Sequence, residues 1–344
     1  MTQGIDLDVL AEWMNGEGLG SGALTDVTPL EGGTQNVLLR FERDGRTYVV
    51  RRGPPHLRPT SNDLIRREAT ILTALRGTAV PHPEVIASCS DAEVMGGAVF
   101  YLMEYVDGFN PTVTLPEPHA SDKSIRRQMG LNAADAIAAL GAIDHVAIGL
   151  ESFGRPEGFI DRQVGRWMSE CESYSRFEEY PGPQIPGLEA VAEWLEANKP
   201  VSFEPGIMHG DYHMANLRYS LQGPEVAAIV DWEMCTIGDP LVDLGWMLAT
   251  WPDENGAGVG MPNVTALSGG LPSAAEFVSR YGERSERDLS AADWYTVLAC
   301  FKLGIILEGT HARAFAGKAP KPVGDLLHSI TLALFERAVR IIRS

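Results

Sequence analysis

The feature that most constrains the fold of this sequence is a pair of neighbouring segments in which polar side chains directly follow short apolar stretches. The first, IMHGDYHMAN, spans residues 207–216 and contains Asp211 and Asn216. The second, VAAIV, is followed at once by Asp231, fifteen residues after Asn216. Burying three such side chains among apolar neighbours is costly unless a cation or hydrogen bonds compensate them. We therefore expect a strand-loop-strand unit that places all three in one cleft.

The spacing within this unit suits phosphoryl transfer from a nucleotide. Asp211 and Asn216 are five positions apart, as are the Asp and Asn of the H-R-D-x-x-x-x-N loop of protein kinases. In that loop the Asp accepts the proton of the attacking hydroxyl and the Asn binds Mg²⁺. A carboxylate at a strand end, such as Asp231, can hold the metal that bridges the phosphates. The unit is thus a candidate catalytic site.

Composition excludes several other classes of protein. With 344 residues, 44% of them hydrophobic, the chain can bury a full core in one or two domains. A net charge of -18 argues against binding to nucleic acid or to an anionic membrane. We expect a cytoplasmic protein, because there is no signal-like or membrane-spanning stretch and no paired cysteine motif.

Hydrophobic periodicity predicts a small α+β unit followed by a larger, mainly helical one. In the first unit we expect helices at 6–15 and 62–76, with strands at 24–30, 36–43, 46–52, 84–90 and 99–104. Asp44-Gly45 is a strong signal for a tight hairpin between two of those strands. In the second unit, helical periodicity covers 122–145, 187–198, 273–283, 290–310 and 322–343.

Two motifs in the first unit have both functional and ordinary explanations. The segment EGGTQN at 31–36 could offer backbone N–H groups to a phosphate, although Gly-Gly between strands is usually only a turn. Arg51 ends the third strand and Glu68 follows seventeen residues later, so the two could pair, with the Arg binding phosphates. Alternatively both face solvent, and strand alternation leaves Arg51 or Arg52 as the functional arginine.

Further residues in the second unit invite weaker hypotheses. His209 and His213 are four apart, which suggests a zinc site, but Gly210-Asp211 is a poor helix start and loop bracing is the better explanation. Asp239 or Asp243 could cap a helix, and Asp243 could also anchor the loop of Asp211. The tryptophans in this unit are more often core residues than pocket residues; they are Trp232, Trp246, Trp251 and Trp294.

Taken in order, these motifs resemble those of the aminoglycoside phosphotransferase (choline-kinase-like) family. The resemblance is strongest to the branch found as stand-alone bacterial kinases and fused to acyl-CoA dehydrogenases. It covers nearly the whole chain through GGTQN (32–36), YVVRRGPP (48–55), Arg67-Glu68, FYLMEYVDG (100–108), the Asp211 loop, DWE (231–233), GDP (238–240) and Asp243-Leu244.

The resemblance implies an α+β, protein-kinase-like fold with two lobes. The N-terminal nucleotide-binding lobe, 1–104, would contain a small antiparallel sheet, and the C-terminal lobe, 105–344, would be mainly helical and bind the substrate. Asp211 would be the catalytic base, and Asn216 and Asp231 the Mg²⁺ ligands. Arg51, in place of the usual lysine, would bind phosphate with Glu68 as its brace. The other implied nucleotide-binding residues are Gly32, Gly33, Thr34 and Asn36 in the glycine loop and Met103, Glu104, Tyr105 and Val106 in the hinge.

The sequence therefore predicts a small-molecule kinase that uses ATP or GTP with Mg²⁺ and phosphorylates a hydroxyl group. A hydroxyacyl group on coenzyme A is the first candidate substrate, because of the branch. An aminoglycoside 3'-type phosphotransferase is the alternative, which the acidic charge mildly favours. A non-catalytic nucleotide-binding module and a zinc hydrolase remain as hypotheses of other classes. Candidate walls of the acceptor pocket are Arg162, Trp167, Glu308 and His311.

Overall fold

The N-terminal part of the molecule is an antiparallel sheet with one helix on each face. The structure, a computed structural model, describes residues 4–30, 36–253, 258–261 and 263–344. Five strands pair in the order β1-β2-β3-β5-β4. They are β1 (Thr25–Pro29), β2 (Val37–Arg43), β3 (Arg46–Arg52), β4 (Val85–Cys89) and β5 (Phe100–Glu104). The flanking helices are α1 (Leu7–Gly16) and α2 (Ser61–Ala74).

Strand alternation divides the side chains of this sheet between two cores. Val50 lies in the small core under α1, whereas Val49 lies in the large core with α2 and the C-terminal helices. Because successive residues of a strand face opposite sides, Arg51 points towards α2 and Arg52 towards α1. Arg51 accordingly pairs with Glu68 of α2, and Arg52 donates to the backbone oxygen of Gly4 beside α1. The fold thus decides between the two arginines that the sequence left open.

The C-terminal part is mainly helical, with two short two-stranded sheets at its boundary with the five-stranded sheet. These small sheets pair β6 (Gly206–Met208) with β9 (Thr236–Gly238) and β7 (Leu217–Tyr219) with β8 (Val226–Ile229). The helices are α3 (Lys123–Gly141), α4 (Gln163–Ser173), α5 (Leu188–Ala197), α6 (Leu241–Thr250), α7 (Val264–Leu267), α8 (Ala274–Arg284), α9 (Ala292–Phe315) and α10 (Lys321–Arg343). None of the described helices is long and apolar enough to cross a membrane.

These elements confirm the predicted α+β class and most of the predicted segments. Periodicity did not predict α4, because only Val164, Trp167 and Cys171 form its buried stripe among polar residues. Helix α6 follows the Gly-Asp-Pro turn and, unlike an amphipathic surface helix, is buried on nearly all sides. It packs against α9 so closely that a Cβ on Gly245 would lie 2.3 Å from the backbone oxygen of Tyr295.

This close approach makes Gly245 a point where added volume should disturb the C-terminal core. We expect Gly245→Ala to lower the free energy of unfolding by about 1–3 kcal/mol, because backbone on α9 must move to admit the methyl group. Urea denaturation measures the change. The matched control is Gly165→Ala in α4, where a Cβ would meet nothing within 4 Å and where stability should be unchanged or slightly higher. Equal stability of the two variants would contradict the tight packing.

Candidate functional site

The predicted site residues meet in a cavity of about 450 Å³ between the five-stranded sheet and the two small sheets. Nine of them line it: Arg51, Glu68, Met103, Glu104, Tyr105, Val106, Asp211, Asn216 and Asp231. Asn36 does not line this cavity; its side-chain amide donates to Glu233 at 3.2 Å. Gly32, Gly33 and Thr34 lie outside the described residues. The sequence-derived set therefore converges on one place, apart from its glycine-loop members.

The loop that carries Asp211 is held from below by a buried carboxylate. Asp243, on α6, accepts hydrogen bonds from the backbone N–H groups of His209 and Gly210. Burial raises the pKa of Asp243 to about 7, although these two bonds oppose the shift. Gly210 has φ +87°, and a Cβ there would lie 2.5 Å from the backbone oxygen of Met234, so the turn requires glycine. Asp243 thus anchors the loop, as one of the two sequence hypotheses proposed.

The Asp211 carboxylate is oriented by three donors. Trp246 Nε1 donates to its Oδ1 at 2.9 Å, and His213 Nε2 lies 3.3 Å from the same oxygen. Asn216 Nδ2 donates to Oδ2 at 3.0 Å. Burial alone would raise the pKa of Asp211, but the hydrogen bond and charge of His213, together with other nearby cations, hold it below its usual value. Asp211 is therefore an ionised acceptor in a defined orientation.

Lys302 is a second buried group near this loop that the sequence analysis missed. Its Nζ lies 4.4 Å from the centre of the Trp246 ring and 3.4 Å from the backbone oxygen of Gly210. Burial lowers its pKa to about 8, against the opposing charges of Asp243 and Asp211. The sequence did contain a sign of this buried cation, because Lys302 is the one charged residue in the apolar stretch VLACFKLGIIL at 297–307.

On the opposite side of the cavity, Arg51 joins the sheet, α2 and the loop after β8. Its Nε lies 2.6 Å from Glu68 Oε2, and its Nη2 lies 2.9 Å from Asp231 Oδ1. Burial disfavours the charged guanidinium, but the carboxylates of Glu68 and Asp231 hold the pKa of Arg51 above its usual value. Glu68 Oε1 also accepts the backbone N–H of Trp232 at 3.2 Å. Arg51 therefore keeps its positive charge although its side chain is almost fully buried.

Two side chains of the cavity, Asp231 after β8 and Asn216 before β7, provide oxygen atoms that fit a divalent cation. Asp231 has φ +67°, a conformation that a non-glycine residue rarely adopts and that is typical of strained functional positions. Its side chain is 31% exposed, and its Oδ2 is not engaged by Arg51. Asn216 donates through Nδ2, so its Oδ1 is available as a ligand. Carboxylate and amide oxygens are the donors that Mg²⁺ prefers.

The rest of the cavity suits a flat aromatic ring. Apolar side chains line it from the sheet and α2, namely Leu30, Leu38, Val49, Leu72 and Met103. At the hinge, the backbone N–H of Glu104 is used by the oxygen of Glu84 at 2.9 Å, whereas that of Val106 has no partner among the described residues. A free backbone donor beside an apolar slot can pair with a heterocyclic base.

The histidines considered for zinc do not point to a common centre. The His209 ring lies 3.0 Å from the backbone oxygen of Val230, and burial lowers its pKa. His213 faces Asp211 instead. Two of the candidate wall residues, Glu308 and His311, contact each other and His328 between α9 and α10. A third, Trp167, lies against Lys302, with 5.6 Å between Nζ and the ring centre.

The fourth wall candidate, Arg162, lies in a second cavity, of about 810 Å³. Three more arginines line this cavity: Arg67, Arg155 and Arg166. Within the described part of the chain, none of the four forms an ion pair with a carboxylate. Arg166 is close enough to Lys302 for its charge to contribute to the lowered pKa of that ammonium group. Arg67 and Arg162 donate instead to backbone oxygens, so the cavity concentrates positive charge on a chain whose net charge is -18.

Comparison with known proteins identifies the family to which this site belongs. The model of the phosphotransferase enzyme family matches residues 26–277, a range that includes Arg51, the Asp211 loop and Asp231. The chain belongs to this family. The predicted resemblance, the protein-kinase-like fold and the enzyme class, a phosphotransferase with an alcohol group as acceptor, are thus confirmed.

The phosphotransferase is also similar to one region of larger curated proteins. It is 28% identical to human acyl-CoA dehydrogenase family member 11 over 341 residues, covering 96% of this chain and 42% of that protein. It is 26% identical to mouse acyl-CoA dehydrogenase family member 10, covering 98% of this chain and 31% of that protein. The chain thus spans less than half the length of these relatives.

Two solved structures show the same fold. A Ralstonia eutropha protein provisionally assigned as an aminoglycoside phosphotransferase is 28% identical, with a TM-score of 0.79 and coverage of 98% of this chain and 99% of that one. The GDP complex of aminoglycoside 2'-phosphotransferase-IIIa is 14% identical, with a TM-score of 0.66 and coverage of 98% and 100%. The second likeness supports the fold alone.

The donor from Trp246 gives this phosphotransferase a testable positioning residue. We expect Trp246→Phe to lower kcat about 5- to 30-fold, because Asp211 loses one hydrogen bond while the ring above Lys302 is kept. The nucleotide KM should change little. Steady-state kinetics measure both. Trp251→Phe is the matched control, since Trp251 Nε1 donates at 2.9 Å to the oxygen of Pro272, away from Asp211. A similar fall in kcat for both variants would contradict the assignment.

Proposed function

We propose that this phosphotransferase transfers the γ-phosphate of ATP or GTP, with Mg²⁺, to a hydroxyl group of a small metabolite. Residues 1–104 would form the nucleotide-binding lobe and residues 105–344 the catalytic and substrate-binding lobe. The observation that carries the proposal is the convergence of Asp211, Asn216, Asp231 and Arg51 on one cavity. Oxygen ligands, a buried cation and an ionised acceptor are the parts that kinase-type phosphoryl transfer uses.

The nucleotide would lie with its base in the apolar slot and its phosphates towards Arg51. The free N–H of Val106 would pair with the base, and Met103, Glu104 and Tyr105 would complete the hinge. Arg51 would grip the α- and β-phosphates with its planar guanidinium, held in place by Glu68. Gly32, Gly33 and Thr34 would close over the phosphates, and Asn36 would act through Glu233. The choice of ATP or GTP depends on the base-facing hinge groups.

Asp211 would accept the proton of the acceptor hydroxyl as that oxygen attacks the γ-phosphorus. Its low pKa keeps it ionised, and Trp246 and Asn216 fix both of its oxygens, so a bound hydroxyl finds the acceptor already oriented. Asn216 and Asp231 would hold Mg²⁺, which neutralises the charge of the β- and γ-phosphates when bound.

An acceptor with an anionic end fits the charge of the second cavity better than an aminoglycoside does. Aminoglycosides are polycations, and the four arginines of the second cavity, which have no carboxylate partner in the described part of the chain, would repel them. A hydroxyacyl group on coenzyme A would place phosphates among those arginines and extend its acyl end towards Asp211. This observation supports the hydroxyacyl-CoA type over the aminoglycoside 3'-type phosphotransferase.

The direct test is transfer of label from γ-labelled ATP or GTP, with Mg²⁺, to a panel of hydroxyacyl-CoAs, aminoglycosides and amino alcohols. We expect label on a hydroxyacyl-CoA, and at least a hundredfold loss of transfer in Asp231→Ala, because one metal ligand is removed. Circular dichroism should show an intact fold. The control is Asp63→Ala, which removes an exposed carboxylate on α2 and should leave transfer unchanged.

The other outcomes separate the remaining hypotheses. Label on aminoglycosides alone would favour the alternative acceptor. Binding of Mg-nucleotide without transfer to any acceptor would favour a non-catalytic module. Full activity of Asp231→Ala would overturn the assignment of the metal ligand.

The arginine cavity can be tested separately from the chemistry. We expect Arg166→Glu to raise the KM for a hydroxyacyl-CoA about tenfold and to leave the nucleotide KM unchanged, because one phosphate contact becomes a repulsion. Arg176→Glu makes the same charge change at an exposed position that does not line the cavity, and its KM values should stay as in the wild type. Equal effects of the two substitutions would show only a response to net charge.

A further inference from the structure

A compact group of metal-type ligands lies between α9 and α10, apart from the nucleotide cavity. It consists of Glu308 and His311 on α9 and His328 on α10, with one donor atom of each within 4.8 Å of the others. Among the described residues this is the one such group of three. None of its members lines the cavity that holds Asp211. The chemistry of the nucleotide cavity therefore does not explain why these three side chains lie together.

Helix geometry explains why the three side chains meet. Glu308 and His311 are three positions apart, so they lie on the same face of α9. Glu-x-x-His is also the spacing with which helical bundles present a carboxylate and an imidazole to a metal. Helix α10 comes very close at Gly324, where a Cβ would lie 2.6 Å from the Cβ of Ala314. His328 follows one turn later and reaches the same point.

Among the described residues, no arginine or lysine forms an ion pair with Glu308. Its side chain is 0% exposed, and in the described structure its ion-pair partners are only the two histidines. His311 Nδ1 lies 3.0 Å from Glu308 Oε1, and His328 Nδ1 lies 2.6 Å from Oε2. The Tyr180 hydroxyl donates to Oε1 at 2.7 Å and holds the carboxylate in place. A buried carboxylate is stable only with such partners or with a metal.

We propose that Glu308, His311 and His328 bind a divalent transition-metal ion of the zinc type. Two imidazoles and one carboxylate form a donor set used for Zn²⁺, with water in the fourth position. Bonds of about 2.0–2.1 Å in a tetrahedron separate the donor atoms by about 3.3 Å. The two carboxylate–imidazole distances here are 3.0 and 2.6 Å and all three donors lie within 4.8 Å, so side-chain rotations of less than about 2 Å would bring them to that spacing. The histidines are 13% and 20% exposed, which leaves the ion a path from solvent.

An outer carboxylate and the surrounding helices support the same assignment. Asp325 Oδ1 lies 3.8 Å from His311 Nε2, on the side of the ring away from Glu308. Carboxylates commonly orient metal-binding histidines from this side. The ion would link α9 to α10, and α9 also carries Lys302, six residues before Glu308. The site would thus brace the helix that contacts the loop of Asp211.

Metal binding can be measured without any reference to catalysis. Tag-free full-length protein is stripped with a chelator and titrated with Zn²⁺ by calorimetry, with Asp231→Asn introduced so that the cleft does not compete. We expect one Zn²⁺ per chain. His328→Gln should weaken binding by more than about tenfold, because a direct ligand is lost. His145→Gln, in a loop outside this group, is the matched control and should bind as before.

Absence of stoichiometric binding, or equal binding by His328→Gln, would overturn the proposal. If His328→Gln does not fold, X-ray absorption of the zinc-loaded parent protein decides instead. A first shell with two imidazole nitrogens and carboxylate oxygen at about 2.0–2.2 Å would support the site. A shell of oxygen atoms alone would overturn it.

Discussion

The buried ion pair between Arg51 and Glu68 is the interaction on which the cleft depends. It connects β3 to α2, and through the second oxygen of Glu68 it reaches the backbone of Trp232. Removing one partner of such a pair leaves an uncompensated buried charge, which commonly costs about 3–5 kcal/mol. The sheet, α2 and the loop after β8 are therefore held in one arrangement by a single carboxylate.

The opposite wall of the cleft uses the same principle with different groups. Asp243 and Lys302 are charged residues inside an otherwise apolar helical core, and both contact the loop that carries Asp211. Against the effect of burial, the lysine lowers the pKa of Asp243 and the carboxylate raises that of Lys302, so each favours the charged form of the other. Trp246 places its ring against Lys302 Nζ and donates from Nε1 to Asp211. Buried polar networks of this kind hold a unique geometry when every member is satisfied. Helices α6 and α9 therefore hold the short, irregular loop that carries Asp211 in one position.

Local patterns predicted much of this arrangement, and long-range contacts account for what they missed. Alternation and the Asp44-Gly45 turn predicted β2 and β3, and the spacing of Asp211 and Asn216 predicted their meeting. The choice of Arg51 over Arg52 required the side of the sheet on which α2 packs. Trp246 and Lys302 lie 35 and 91 residues from Asp211 along the chain, so no local pattern could connect them. The candidate walls Glu308 and His311 instead belong to a separate group on α9.

The contact between Arg51 and Asp231 also has a thermodynamic meaning. Arg51 Nη2 donates to Oδ1 of Asp231, so the guanidinium and the proposed metal would share this one carboxylate, each through a different oxygen. A nucleotide that draws Arg51 to its phosphates would free Asp231, and the metal would in turn release Arg51. Each ligand then increases the affinity for the other by the same factor, as linkage requires. One shared hydrogen bond can in this way make two ligands bind cooperatively.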